Sequence, residues 1–269
     1  MSLFAVANLY KETNLQPYCT YGLRVVLEKC FESLSIPGKL PNVPENCSYF
    51  VKTNYIWPVQ KPISLQGITE LNTSITLDMY SARYEDIIKY GIDKMKVELR
   101  FKEEHILYSN KLFVSLKTKF NLENEDVTFV GMHYRGTDYI HHLKLIYKKY
   151  KPPPNYKYYK EAMTYFEKNY KNIIFILITI DDEWLNENLP NIRNNANLIV
   201  NPNDGDPVRD LVILSHCNHS IINYGTFGTA AALLNKGTTF VYDLNMPLDY
   251  RGTTIAMGIA QLLPNWHVL

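Results

Sequence analysis

Long apolar runs are missing from this sequence. A bilayer-crossing helix needs about 20 consecutive apolar residues, and the best stretch, Ile173 to Ile180, is far shorter and reads as a buried strand. No charged n-region, apolar h-region and cleavage site open the chain. A membrane attachment would therefore need an anchor that the sequence does not contain. Charge of one sign is also missing. Lys and Arg number 28 against 27 Asp and Glu, a formal net charge of +1, which gives no sign of a basic nucleic-acid surface. Cysteine is scarce. The four, Cys19, Cys30, Cys47 and Cys217, lack paired metal-ligand spacing, which argues against a zinc site. They leave open one or two disulfides in an oxidising compartment, or buried free thiols. Neither an internal repeat nor a low-complexity tract is present.

What remains is an ordinary globular mix. The 269 residues are 46% hydrophobic and 20% charged, enough to bury a sizeable core in one large or two modest domains. Tyrosine is abundant at 21. Its rings suit carbohydrate faces, and equally suit core packing. Three sequons, Asn46-Cys47-Ser48, Asn72-Thr73-Ser74 and Asn218-His219-Ser220, are compatible with the secretory route.

The pattern changes along the chain. MSLFAVANLY carries a helical stripe of Leu3, Phe4, Val6, Ala7 and Tyr10, and Leu23 to Leu34 carries another. Residues 36–66 are studded with proline, and 84–120 read as mixed helix. From about residue 126 strands and helices alternate. Val127–Tyr134, Ile173–Thr179, Leu198–Val200, Ser220–Ile222 and Thr239–Tyr242 read as strands. Helices are expected around Tyr159–Tyr170, over Asp181–Glu187, after the Asp206 cap with Pro207, and over 228–235. This alternation predicts a parallel, doubly wound sheet with helices on both faces. Such sheets bind ligands at the C-terminal ends of their strands.

Three motifs fall at those ends. VGMHYRGTDY (Val130–Tyr139) presents His133, Arg135 and Asp138 after a strand. A guanidinium fork suits phosphate, although an Arg near an Asp is also a common local ion pair. FILITIDDEWLNENL (Phe175–Leu189) places Thr179 and Asp181 at a strand end. They could bond a base or ribose, and Asp181 to Glu183 equally favour a helix N-terminus. An adjacent Asp pair there does not have metal-binding spacing. DLVILSHCNHSIINYGTFGTAAALL (Asp210–Leu234) ends in a loop of Gly225, Thr226, Phe227 and Gly228 that opens a helix, where backbone N–H groups can seat a diphosphate. Asp210 could bond the donor or simply favour its own helix. Cys217 and His219 read as core.

Together, in this order, the motifs resemble the signature blocks of the α-1,2-fucosyltransferases, glycosyltransferase family 11. His133, Arg135 and Asp138 match the family's H-x-R-R-x-D block, with Gly136 in place of its second Arg. Thr179, Asp181 and Trp184 resemble its S-D-D and Trp block, with Ile180 departing at the first acidic position. Asp210, Cys217-Asn218-His219 and Gly225–Gly228 resemble its last block, with Thr229 and Ala230 where a Trp is usual. A Gly-Asn-Gln-Met-like segment precedes the family's match to MSLFAVANLY, so a truncated start is expected. The resemblance implies a GT-B-like architecture of two α/β domains. Residues 1–122 would be an acceptor-side domain, which with the junction would hold the acceptor sugar. Residues 123–269 would be a Rossmann-like domain for the nucleotide sugar. It implies transfer of L-fucose from GDP-β-L-fucose, as donor substrate and without metal or other cofactor, to the 2-hydroxyl of a galactose-terminated glycan, with inversion, in a Golgi setting. Arg135 would neutralise the diphosphate and Asp138 would be the base. His133, Thr179, Asp181, Asp210, Gly225, Thr226, Phe227 and Gly228 would contact the donor. Alternatives are a non-catalytic glycan- or nucleotide-binding homologue, or a fucosyltransferase for another acceptor.

Overall fold

The structure is a computed structural model that describes residues 21–35, 49–50, 75–76, 88, 92–146, 151–193, 196–248 and 254–269. The helix expected within MSLFAVANLY, and Cys19 and Cys47, lie outside these residues. The chain divides into two compact units, 1–102 with 249–251, and 103–248 with 252–269.

In the first unit, helix α1 (Tyr21–Cys30) covers the first part of the stripe expected over Leu23–Leu34 and stops at Cys30, four residues short. Strands β1 (Tyr49–Phe50) and β2 (Ile75–Thr76) pair in parallel. Helix α2 spans Ile92–Glu98. An isolated antiparallel bridge joins Phe31 to Phe101, with the two rings 5.0 Å apart.

The second unit begins with α3 (Glu103–Lys119) and continues β3 (Thr128–His133), α4 (Asp138–Ile146), α5 (Tyr156–Asn169), β4 (Ile173–Ile178), α6 (Asp182–Arg193), β5 (Leu198–Val200), α7 (Pro207–His216), β6 (His219–Ile222), α8 (Thr226–Leu234), β7 (Thr239–Val241), α9 (Ile255–Ala260) and β8 (Trp266–Val268). The six strands form one sheet in the order β5-β4-β3-β6-β7-β8, and every pairing is parallel. This is the α/β, Rossmann-like sheet that the alternation predicted. Two expected elements differ in extent. Helix α6 continues through Pro190 to Arg193 rather than stopping near Glu187. Helix α8 begins at Thr226, so Thr226, Phe227 and Gly228 form its first turn instead of a free loop.

Both faces of the sheet are covered. On one, Val130, Met132, Phe175 and Leu177 pack against Tyr159, Ala162, Met163 and Phe166 of α5 and Trp184 of α6. On the other, Phe129, Ile174, Ile176 and Ile178 pack with Leu116 of α3, Ile213 and Leu214 of α7, and Ala231 of α8. Burial on both sides explains the unbroken apolar run of β4, which is buried at every position. Alternate residues of β3 therefore reach opposite faces. Tyr134 continues toward the α5 side, and His133 meets Phe227 of α8 with ring centroids 5.3 Å apart.

The chain leaves β3 toward β4 and β5, then returns to the other side of β3 as β6. Strands β3 and β6 are thus neighbours at the point where the winding reverses. A crevice opens there, beyond the C-terminal ends of the strands. Among the described residues, no helix is long and apolar enough to cross a membrane.

Candidate functional site

Two asparagines hold the strand-end loops in place. Beyond β6, Asn223 accepts from the Arg135 backbone N–H at 3.0 Å and donates to the Arg135 carbonyl at 2.9 Å. Beyond β5, Asn201 does the same for Thr179, at 2.9 and 2.8 Å. Asn201 adopts a left-handed φ of 43°, which Asn tolerates better than most residues. Each clip satisfies a donor and an acceptor that no strand pairs. Arg135 and Thr179 therefore leave fixed points of backbone, at the ends of β3 and β4.

Asp181 joins two of the motifs. One carboxylate oxygen caps α6 through the Trp184 N–H at 3.0 Å. The other accepts the Thr137 N–H at 2.9 Å, and the Asp181 N–H bonds the Thr179 hydroxyl at 3.1 Å. Asp181 is buried, and these contacts give it a positioning role for the Arg135–Gly136–Thr137 turn. Gly136 lies against it. A Cβ there would sit 1.9 Å from Asp181 Oδ2 and 2.6 Å from Tyr134 Cε1.

The turn at Gly225 completes the crevice. Its φ of +87° suits glycine, and as N-cap of α8 it offers no side chain to the helix. The first N–H groups of α8 are thus available to an anion. Arg135 runs beside this turn. Its Cγ lies 3.7 Å from where a Gly225 Cβ would be, and its guanidinium is 5.5 Å from the centroid of the Tyr139 ring. Gly228 makes room for His133, whose Nδ1 would lie 2.8 Å from an added Cβ. Thr226 is exposed at the head of the helix, and the Thr229 hydroxyl bonds back to the Gly225 carbonyl at 2.7 Å.

His133 is 7% exposed, and its Nδ1 has no hydrogen-bond partner in the structure. Burial, followed by the Arg135 charge, lowers its pKa from 6.5 to about 4. It is therefore a neutral imidazole at neutral pH. An unfolded chain binds a proton at this histidine near 6.5 and the folded chain only near 4, so stability falls on acidification through that window, by about 3 kcal/mol. Burial lowers His216 and His219 in the same sense. We expect the denaturant midpoint to drop between pH 7 and pH 4.5, and His133→Gln to flatten part of the drop. Equal slopes in the two proteins would contradict a buried neutral His133.

The other expected site residues fall in two places. Asp138 is the first residue of α4, and its side chain lies outside the described residues. Asp210 is in the first turn of α7, buried, and accepts from Asn203. Burial raises its pKa, with the charges of Asp206 and Asp204 adding to that and the Asn203 bond opposing it. Cys217 and His219 are core, as expected. The Cys217 thiol is free and buried, and His219 Nδ1 accepts the Thr238 N–H at 2.9 Å. Cys30 is also buried. Among the described residues, no group of three or more His, Cys, Asp or Glu is placed to hold a metal ion.

Asn201 lies outside the three motifs, and Asn223, though inside the third, was not expected to act. An Asn just beyond a buried strand, where the backbone must leave the sheet, is the local signal that could have found them.

Comparison with known proteins agrees with this geometry. Residues 95–269 match the model of Glycosyl transferase family 11. Over 140 residues the chain is 34% identical to galactoside alpha-(1,2)-fucosyltransferase 2 of Bos taurus and 32% identical to that of Rattus norvegicus. It is 34% identical over the same length to galactoside alpha-(1,2)-fucosyltransferase 1 of Bos taurus. These matches cover 52% of this chain and 38 to 40% of the relatives. The family match takes in the whole six-stranded sheet and its crevice, and on that evidence the chain belongs to glycosyltransferase family 11.

Proposed function

We propose that the chain is a fucosyltransferase that moves L-fucose from GDP-β-L-fucose to the 2-hydroxyl of a terminal galactoside, with inversion. The observation that carries this reading is Arg135, whose backbone is clamped by Asn223, alongside the uncapped first turn of α8. A cation and a helix N-terminus meet where a diphosphate would gain charge as the glycosidic bond breaks. The relatives' names supply the sugar, the acceptor and the linkage.

In this mechanism the acceptor oxygen attacks the anomeric carbon from the face opposite the diphosphate. The transition state is oxocarbenium-like, and the C–O bond to GDP breaks as the new bond forms. Arg135 stabilises the departing diphosphate, with the N–H groups of Thr226, Phe227 and Gly228 around it. His133, neutral and packed against Gly228, adds a polar group without a competing charge. The acceptor proton goes to a base, for which we propose Asp138. Thr179 and Asp210 would face the nucleoside side of the donor. The cation and helix dipole together take the part that a metal plays in other transferases, so turnover is expected without one. The second unit, expected from residue 123 onward, is the donor side of this proposal, and the setting proposed with it is the Golgi.

The crowding at Gly136 favours a second reading, a homologue that binds nucleotide without turnover, because the family's second Arg has no room there. Calorimetric titration with GDP and a transfer assay with GDP-fucose and a β-galactoside, each in EDTA, separate the two. We expect GDP binding and transfer, both indifferent to EDTA. Binding without transfer or donor hydrolysis selects the second reading. Absence of GDP binding at millimolar nucleotide overturns both.

A further inference from the structure

Four residues beyond Arg135, the chain brings an aromatic ring back against its guanidinium. The turn between them sets this pairing. Thr137 takes a left-handed φ of 51° and gives its N–H to Asp181 at 2.9 Å. The Tyr139 N–H then bonds the Gly136 carbonyl at 3.1 Å, and the Ile140 N–H bonds the Thr137 carbonyl at 3.2 Å. The backbone thus doubles back as α4 begins. Arg135 Cζ lies over the Tyr139 ring, 5.5 Å from its centroid, inside the reach of a cation–π contact.

The ring is itself held. Tyr139 stacks on Tyr224, with centroids 5.1 Å apart and planes 16° apart. Tyr224 is buried, and with Leu143, one turn further along α4, and Leu244 it forms a small apolar cluster against which Tyr139 packs. Tyr224 directly precedes Gly225. A Cβ added at Gly225 would lie 3.7 Å from Arg135 Cγ and 3.8 Å from Tyr139 Cζ. Both side chains therefore run along the turn that opens α8. The end of β3, the start of α4 and the start of α8 meet at this one pair.

A ring suits this place better than a carboxylate. An aromatic face orients a guanidinium without cancelling its charge, and leaves N–H donors of the fork for phosphate oxygens. A carboxylate would compete with a diphosphate for the same donors. The two Asn223 bonds hold the Arg135 peptide. Clamping the peptide does not by itself fix the fork, because the side chain between them has many rotamers to lose. The ring supplies the second point of hold.

We propose that Tyr139 is a positioning residue for the sugar-nucleotide donor: its ring, backed by Tyr224, seats the Arg135 guanidinium beside the Gly225 turn, where the diphosphate binds. The effect on the donor rests on the reading of Arg135 given above; the seat itself does not.

The test labels arginine isotopically in the full chain and reads the Arg135 Nε–H resonance, assigned by its disappearance in Arg135→Lys. A proton held over a ring face is shifted upfield. We expect that shift in the parent, its retention in Tyr139→Phe and its loss in Tyr139→Leu. By GDP titration, Tyr139→Leu should bind about 3–10-fold more weakly than the parent, and Tyr139→Phe, which keeps the ring, should recover most of that loss. In an Arg135→Ala background the Leu replacement should cost no further affinity, since its effect passes through the guanidinium. An Arg135 proton at the random-coil position in the folded parent overturns the seat, whether or not any variant folds. Equal weakening by Tyr139→Leu in both backgrounds, or Tyr139→Phe as weak as Tyr139→Leu, overturns the positioning role. So does a shifted proton with GDP affinity unchanged in Tyr139→Leu. If the parent does not bind GDP, the reading of Arg135 fails, and the resonance alone upholds or overturns the seat.

Discussion

Arg135→Ala should lower kcat for fucosyl transfer by about 10²–10³-fold while leaving the fold intact, the loss seen when one preorganised group facing developing charge is removed. The reason is positional. The Arg135 peptide is held by two bonds to Asn223, so the guanidinium starts from a fixed root beside the Gly225 turn. Its charge is already in place before the glycosidic bond stretches, and little reorganisation is needed. Arg135→Lys keeps the charge and loses the planar fork. It should recover part of the rate, with a larger remaining defect in kcat than in KM for the donor. Steady-state kinetics at saturating acceptor measure both, and circular dichroism checks the fold. An Ala variant within tenfold of the parent would remove Arg135 from the diphosphate role.

The parts of this fold that the sequence displays are those governed by local pattern. Six apolar β4 residues, Ile173 to Ile178, announce a strand buried on both faces. Asp206 and Pro207 mark the start of α7, and the Asp206 carboxylate does bond the Val208 N–H at 2.8 Å. Buried positions 159, 162, 163 and 166 give α5 its face. The parts that were not legible depend on contacts distant in sequence. Asn223 and Arg135 are 88 residues apart, and no spacing rule relates them. Asp181 reads as a helix-start residue, and it is one. Its second duty, holding Thr137, needs the β3 and β4 ends side by side. The early start of α8 follows from Gly225, which takes the left-handed turn alone and leaves Thr226 free to be helical. Strand β8 was missed because it is a three-residue strand with only Trp266 buried.

Gly136 is where sequence and structure meet most directly, and replacing it should have the largest effect on stability. The family block carries an Arg at this position, yet a Cβ here would lie 1.9 Å from Asp181 Oδ2, 2.8 Å from its Cγ and 2.6 Å from the Tyr134 ring. Neither neighbour yields cheaply. The carboxylate is anchored by Thr137 and Trp184, and the ring is stacked on Trp184, whose indole N–H is itself bound to the Pro154 carbonyl at 2.8 Å. Gly136→Ala should therefore destabilise the second unit by about 1–3 kcal/mol, the usual cost of forcing extra atoms into a packed region. Gly136→Arg should cost more, and should not raise activity. Asp181→Ala alone loses a helix cap, about 0.5–2 kcal/mol, along with the Thr137 anchor. Combined with Gly136→Arg it also removes the atoms in collision, so the double variant should be less destabilised than the two singles predict. Denaturant unfolding of the four proteins measures that coupling. If Gly136→Arg were as stable as the parent and more active, Asp181 would be free to swing out and pair with the new guanidinium. The fixed Asp181 clamp, and the reading of Gly136 as an obligate partner to it, would then be wrong.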